Sequence, residues 1–570
     1  MTTASSRIGT GHSRGWASPA LLIATLLPFT AGAVDLAEGN PDWSVRWDNT
    51  VKLSTLYRLK DADPALNDSF RLLVPGVPAS AFPQALNFNA GNQNFQKKGF
   101  VSQRFDFFSE FDAVYQSRMG LRLSAVGWYD HAYHRATDAN NDPTIAQVPY
   151  NRVPARTRRL AGQDAEVFDA FVFGKWTVAE GRELTLRLGQ HALQYGESLF
   201  FGDNAVARAQ GPLDAQKALS SPNAQFKEII RPVPQLSMQL QLAPKISVGG
   251  YYQFRWASDR LPPAGSYFSN NNIPWGSSQP EFIGIPAGPL AGNYLLAAGG
   301  DRHARNSGQF GLQLKASIAE TDLGLYFARF HDKDGQLYGK LNVVSPLAGT
   351  GAWNYVFPED IKVLGASASR SVGDFNFAGE ASVRDNMPLR STNMVYPVGL
   401  APQPRPALGR TAHLNFSWLA SLGPNFIAKE ASFLGEIAWN RVLRKDDPDN
   451  QLDTGRTRSS TILRLIYSPT YRQVLPGLDL SVPLGIGYTL QGNSSVTPAW
   501  GAKDTGDLSI GLEGTYLDTW RFALAYQHYI GKAVPGADYS PALTGGTPIL
   551  GLGNSLKDRD YLSLSLRRTF

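Results

Sequence analysis

From Trp43 to Phe570 the polar and apolar residues alternate with a period of two, the period of a strand with one face in each environment. Trp43, Val45, Trp47, Val51, Leu53 and Tyr57 fall on one face, and Ser44, Arg46, Asp48, Thr50, Lys52 and Arg58 on the other. Between Val101 and Tyr115, Phe105, Phe107, Phe111 and Ala113 oppose Arg104, Asp106, Glu110 and Asp112. The pattern returns at Met119–Tyr129, Leu236–Leu242, Ile246–Trp256, Phe310–Ile318, Ala412–Ala420, Leu478–Leu490, Leu508–Tyr516, Trp520–Tyr526 and Leu562–Phe570. It is poor at Ala165–Phe173 and Leu323–Phe330. Many of these runs are about 10 to 15 residues long, against roughly 5 to 6 for a soluble strand. A tilted strand needs about 9 to 11 to cross a bilayer.

Aromatic residues mark run ends, among them Tyr57, Tyr115, Tyr129, Trp256, Tyr467, Tyr488, Tyr516 and Trp520, as in the girdles at a membrane interface. Connections alternate between short (Gln116–Arg118, Ala243–Lys245, Ala319–Thr321, Val372–Asp374, Ser468–Pro476, Leu517–Thr519) and long (Leu59–Gly99, His131–Gln163, His191–Pro232, Ala257–Ser307, Asp332–Glu359, Asn386–Gly409). Hydrocarbon offers no partner for a backbone N–H or C=O, so strands cross it only as a closed sheet. The prediction is an all-β transmembrane antiparallel up-and-down β-barrel of about 18 strands (16 to 18), with both termini periplasmic.

Barrels of about 16 to 18 strands are wide enough for an aqueous lumen. The candidate lumen residues carry both signs: Arg46, Asp48, Lys52, Arg104, Asp106, Glu110, Asp112, Arg122 and Arg255. The loop 191–232 is long and rich in apolar residues (Leu199, Phe200, Phe201, Leu213, Phe226, Ile229, Ile230), which predicts burial, with the lumen as its place. Glu197, Lys227, Glu228 and Arg231 would then sit at a constriction. Phe200, Phe201, Trp256, Tyr267 and Phe268 are the candidate contacts for an apolar solute.

Residues 1–33 read as a secretory signal peptide: Arg7 and Arg14, an apolar Ala20–Leu27, then Ala31-Gly32-Ala33. Residues 34–570 would be a single barrel domain. Sec-type export would carry the chain to the outer membrane of a Gram-negative bacterium, in contact with outer-membrane lipid. The closing run Tyr561–Phe570 resembles the signal read by the outer-membrane assembly machinery, although Arg568 stands where an apolar residue is preferred. A net charge of +6 spread over 570 residues predicts no nucleic-acid partner. With no Cys, disulfide scaffolds, thiolate metal sites and cysteine nucleophiles are excluded.

Several segments together resemble the domain-of-unknown-function 1302 family of proteobacterial outer-membrane proteins. They are Trp47–Lys60, Ala165–Lys175, Tyr195-Gly-Glu-Ser-Leu-Phe-Phe-Gly202, Gln225–Val233, Tyr251–Trp256 and Arg260–Phe268. The resemblance covers nearly the whole chain beyond the leader and implies no catalytic residue. It implies a role in moving hydrophobic or aromatic compounds across the envelope, beside an inner-membrane permease of the resistance-nodulation-division type and a periplasmic carrier.

Three functions are weighed. A porin-like channel for passive passage of small organic solutes uses the barrel, its polar inward faces and the loop. A scaffold or adhesin would act through outer loops such as Asn270–Gly276 and Gly545-Gly546. An outer-membrane hydrolase would need a nucleophile with a positioned base. His131 and His134 lie beside Asp130, but no Gly-x-Ser-x-Gly elbow accompanies them. The expectation is a channel, not an enzyme, with no cofactor and no metal.

Overall fold

The computed structural model describes residues 34–35, 40–67, 89–139, 151–222, 226–270, 281–285, 292–342, 349–391, 395–397, 406–446, 452–453, 455–497, 499–534, 537–538, 549–550 and 552–570. The proposed leader and the loop stretches 271–276 and 545–546 lie outside them.

Alternation becomes one closed antiparallel sheet. Its strands are β1 (Trp43–Arg58), β2 (Gly99–Tyr115), β3 (Met119–Asp130), β4 (Gln163–Ala179), β5 (Arg182–His191), β6 (Val233–Ala243), β7 (Ile246–Gln253), β8 (Gln309–Ile318) and β9 (Thr321–Phe330). They continue as β10 (Ile361–Val372), β11 (Phe375–Leu389), β12 (Ala407–Leu422), β13 (Glu430–Lys445) and β14 (Ser459–Leu475). β15 is in two pieces (Leu478–Ser481 and Leu484–Gln491), followed by β16 (Gly506–Tyr516), β17 (Trp520–Ile530) and β18 (Tyr561–Thr569). Each strand pairs with its sequence neighbours, and β18 pairs with β1 from Thr50↔Thr569 to Arg58↔Tyr561, which closes an 18-stranded ring. Closure leaves no open edge to aggregate.

Residues of one parity carry Phe105, Phe107, Leu123, Leu312, Leu325, Leu364, Leu414, Phe416, Leu524 and Leu564 on the outside of the ring, exposed. Lys52, Arg104, Asp106, Glu380, Asn415 and Glu436 on the other parity are buried inside. Among soluble proteins an inside so polar and an outside so apolar would be inverted. In a bilayer it is the required arrangement. No helix among the described residues is long and apolar enough to cross a membrane.

The hairpins at one end are tight. Gln116–Ser117, Ala319–Glu320 and Leu517–Asp518 each have two successive residues at positive φ, the turn whose twist matches the paired strands. The short link expected at Ser468–Pro476 is mostly strand, because β14 runs on to Leu475. Trp43 and Phe570 both lie at this short-turn end, Phe570 exchanging backbone bonds with Asn49. Arg568 faces outward here and lies 4.8 Å over the Trp520 ring, which shields its charge where an apolar residue was expected.

The opposite end carries the long connections, which build a core of their own. Leu56, Phe95, Val101, Tyr133, Val153, Tyr267 and Phe268 form one apolar cluster there. Buried Arg58 reaches Asp558 at 2.8 Å beside it. A five-stranded sheet of loop segments 281–285, 292–298, 336–342, 349–356 and 395–397 adds to this end.

Candidate functional site: the lumen and its crossing loop

The chain between β5 and β6 leaves the wall at His191, which is tied to β6 by Ser237 Oγ at 2.8 Å. It docks on β11, β12 and β13, six to eight strands round an 18-stranded ring. Two inward carboxylates receive it. Glu436 on β13 accepts the backbone N–H groups of Leu199, Phe200 and Phe201 on one oxygen, at 3.0, 2.5 and 3.1 Å. Its other oxygen accepts the Ser198 hydroxyl at 2.8 Å and the Asn415 amide at 2.7 Å. Successive N–H groups converging on one anion are a backbone nest. Glu380 on β11 accepts the N–H of Glu197 at 2.9 Å and of Val206 at 2.5 Å.

Gly196 makes the turn into this nest, with φ +95°. A Cβ there would lie 2.2 Å from Glu380 Oε2, so both backbone and space require glycine. Asn204 is fully buried. Its amide donates to Leu414 O, Asn415 Oδ1 and Trp439 O at 3.2, 2.9 and 3.1 Å. Its oxygen accepts from Asn440 at 3.2 Å. The Arg384 guanidinium donates to the carbonyls of Asp203 and Ala205 at 3.1 and 2.8 Å. Tyr195, Val206 and Ala209 of the loop pack with inward Tyr251, Tyr326, Ala328, Phe330, Ile361 and Val363.

The loop then turns back toward the other wall. Arg208 pairs with Asp259 at 2.6 Å, and that carboxylate keeps its buried guanidinium charged. Lys333, also buried, donates to Arg208 O at 3.2 Å. Burial, with the Arg208 cation beside it, pushes the Lys333 ammonium down to about 7. Asp214 caps the short helix Ala215–Ser220 and pairs at 2.7 Å with Arg260, which also holds Glu166 of β4 at 2.8 Å. Ser221 finally meets Lys52 of β1 at 2.9 Å. The segment therefore touches both sides of the ring.

The predicted residues divide accordingly. Arg104 and Asp106 form a buried pair at 2.8 Å, and Arg122 grips Asp112 at 2.7 Å through two nitrogens. Arg46 pairs with Asp48 at 2.5 Å and keeps a solvated guanidinium. Glu110 lies half-buried on the same inward face of β2. In the loop, Glu197 extends its carboxylate to Lys315 of β8 at 3.5 Å, Glu228 meets Lys217 at 3.4 Å, and Arg231 donates to Ser258 O at 2.9 Å. Lys227 belongs to the short helix Phe226–Ile229, and its side chain lies outside the described residues. Arg255 lies past the end of β7 and is exposed, so the wall face expected for it does not extend that far.

Of the aromatic candidates, Phe200 and Phe201 are half-buried in the docked loop, and Phe201 packs on Trp500 at 5.9 Å. Trp256 is buried against Phe357 at 4.7 Å, its indole N–H bonded to Asp332 O. Tyr267 and Phe268 are 1% and 3% exposed in the loop core. These three rings have no surface left for a solute, because the long loops use them to pack. Besides Tyr251, Tyr326 and Phe330 under the loop, inward aromatics form a buried cluster of Phe108, Val126, Trp128 and Phe168 on β2–β4. Half-buried Phe171 and Phe173, with ring centroids 6.3 Å apart, follow on β4.

An 18-stranded ring with an apolar outside, a polar inside and a loop folded across it defines a porin-like barrel of the outer membrane. By sequence the chain belongs to the family described as protein of unknown function (DUF1302), which matches residues 15–570. No curated protein matches it. Among solved structures it is similar to Acinetobacter baumannii OccAB3, at 10% identity and a TM-score of 0.40, over 92% of this chain and 99% of that one. It is also similar to Pseudomonas aeruginosa OpdK with vanillate, at 9% and 0.38, over 92% and 98%. Salmonella typhi OmpF in complex with daunomycin is a third, at 8% and 0.33, over 92% and 98%.

Proposed function

We propose that the protein is a porin-like channel for passive passage of small organic solutes, with hydrophobic or aromatic compounds as the favoured class. The observation that carries this reading is the loop held across the lumen by Glu380 and Glu436. Polar nests that pin a loop inside a barrel fix the width of a passage. The preference for aromatic solutes is supported by Phe171 and Phe173 on the inward face of β4, which are half-buried, whereas Phe108, Trp128 and Phe168 are buried against one another. Rings offer stacking to a solute ring, which mixed charge pairs do not.

On the same reading the short-turn end faces the periplasm, and residues 1–33 are removed during Sec-type export. The C-terminal strand is the one handed to the assembly machinery. An inner-membrane permease and a periplasmic carrier act in series with the channel. The test is ion conductance of the purified protein in planar bilayers, with and without residues 212–225. A channel narrowed by this loop gains conductance on the deletion. Equal conductance in the two proteins contradicts the constriction, and no conductance in either contradicts the channel.

A further inference from the structure

Inside the short-turn half of the barrel, three basic residues stand side by side on three neighbouring strands. Lys52 on β1 is the direct partner of Arg567 on β18, and Arg567 is the direct partner of Arg521 on β17. All three line a cavity of about 440 Å³, a volume within the usual range of small-ligand sites. Like charges directly opposite one another across a sheet oppose its pairing, so a folded wall gains nothing by carrying such a row.

Several other arginines of the inner face are neutralised by carboxylates, as in Arg104–Asp106, Arg122–Asp112 and Arg464–Asp507, while Arg384 spends its guanidinium on the carbonyls of the crossing loop. Arg472, at the same cavity, is held by Glu430 and Asp479 at 3.0 and 2.8 Å. Arg521 and Arg567 differ. Among the described residues neither guanidinium has an ion-pair or hydrogen-bond partner, and Arg521 is exposed to the cavity. Lys52, by contrast, is anchored by Ser221 of the crossing loop at 2.9 Å, which sets one end of the row beside the constriction. Glu513 and Asp518 also line the cavity; they leave it polar throughout, but the Arg521–Arg567 neighbours present ten N–H donors with no fixed acceptor.

We propose that this row is a binding station for a small organic carboxylate, met by a solute on the short-turn side of the crossing loop. A planar guanidinium takes a carboxylate through two parallel hydrogen bonds. Glu228 and Glu513 attract Arg567 without reaching hydrogen-bond distance, and an anion lying between the two guanidinia and the ammonium adds the direct hydrogen bonds that these carboxylates do not make. The inference rests on the channel reading for its place in transport, and narrows the solute class from organic compounds in general to organic anions.

The test is equilibrium binding by titration calorimetry on the full-length, detergent-solubilised protein, which does not depend on conduction. Sodium benzoate is the anionic probe, and benzyl alcohol is the neutral one of similar size. The variants are Arg521→Ala and Arg567→Ala, singly and together. Relief of like-charge repulsion favours their folding, and unchanged heat-modifiable migration on gels checks it. The proposal expects benzoate to bind the wild type at least tenfold more tightly than benzyl alcohol, and the double variant to lose at least tenfold in benzoate affinity. Absence of benzoate binding, equal binding of benzyl alcohol, or equal binding by the double variant overturns it. Conductance separates the two readings. A protein that binds benzoate here but passes no ions keeps the station and loses the channel, and a conducting protein indifferent to benzoate does the reverse.

Discussion

Replacing Glu436 by Gln is the most incisive perturbation of the crossing loop. The carboxylate takes five donors: three backbone N–H groups, the Ser198 hydroxyl and the Asn415 amide. Glutamine retains one carbonyl oxygen for the three N–H groups. Its amide nitrogen must then face the Asn415 amide, donor against donor, although Ser198 can reverse its hydroxyl. Hydrogen bonds to a charged acceptor contribute about 1.5–3 kcal/mol each, and neutral ones about 0.5–1.5 kcal/mol. Four bonds weakened and one broken amount to a loss of about 3 kcal/mol, after discounting for the coupling among bonds that share one acceptor. At about 1.4 kcal/mol per decade, the ratio of docked to undocked loop falls roughly a hundredfold. Single-channel recording is the assay. The variant is expected to visit a larger conductance level far more often than the wild type. Glu320→Gln, on an exposed hairpin, serves as a control that changes the same charge without touching the loop. An unaltered distribution of conductance levels in a correctly folded Glu436→Gln protein refutes the reasoning.

Other outcomes follow from the same geometry. Gly196→Ala places a Cβ 2.2 Å from Glu380 Oε2 on a backbone with φ +95°, so it should reproduce the Glu436→Gln recordings, whereas Gly202→Ala, whose Cβ would make an ordinary 3.7 Å contact with Ala207 Cβ, should not. Phe171→Ser together with Phe173→Ser should lower the flux of an aromatic solute into proteoliposomes more than that of a sugar; equal effects would remove the aromatic wall from the account. Burial, with the Arg208 cation beside it, lowers Lys333, its folded value lying near 7 against 10.5 unfolded. The unfolded chain thus binds the extra proton between those values, and stability rises with pH from about 7 to about 10 through this group. The midpoint of heat-modifiable migration should rise across that window in the wild type, and the rise should be smaller in Lys333→Met.

The barrel was legible because one face of most strands meets lipid and the other meets water or polar packing. Where alternation failed, the crossing loop or a bulge explains it. On β4, Phe168 and Asp169 both oppose Ser124, since the register steps from Leu123↔Ala170 to Ala125↔Val167. One extra residue reverses the parity and puts Phe168, Asp169 and Phe171 on the same side. On β9 the inward residues Tyr326, Ala328 and Phe330 are apolar because loop residues Tyr195, Val206 and Ala209 cover them. A wall position facing protein instead of water carries no polar residue to alternate with.

The loop itself was visible as a long apolar connection, but its receptors were not. Glu380 and Glu436 are single carboxylates on ordinary strands, and their partners lie 183 and about 236 residues away. Nothing local distinguishes them from lumen charges that merely pair, such as Asp112. The basic row escaped notice for the same reason: Lys52, Arg521 and Arg567 become neighbours only when the last strands close on the first. Trp256, Tyr267 and Phe268 read as candidate contacts for an apolar solute, but aromatics in long loops serve packing as readily as binding.

The central claim is that residues 195–209 lie inside the ring, against the far wall. The chain has no Cys, so an engineered pair reports without background. Ser417 on β12 donates to Glu197 O at 3.2 Å, which places it beside the loop. In whole cells, Ser198→Cys with Ser417→Cys should close a disulfide under mild oxidation, seen as a shift in gel mobility reversed by reductant, while Ser198→Cys with Ser565→Cys on β18 should not. A Cys at position 198 that forms no bond with position 417 and reacts fully with a membrane-impermeant maleimide from outside would contradict the account.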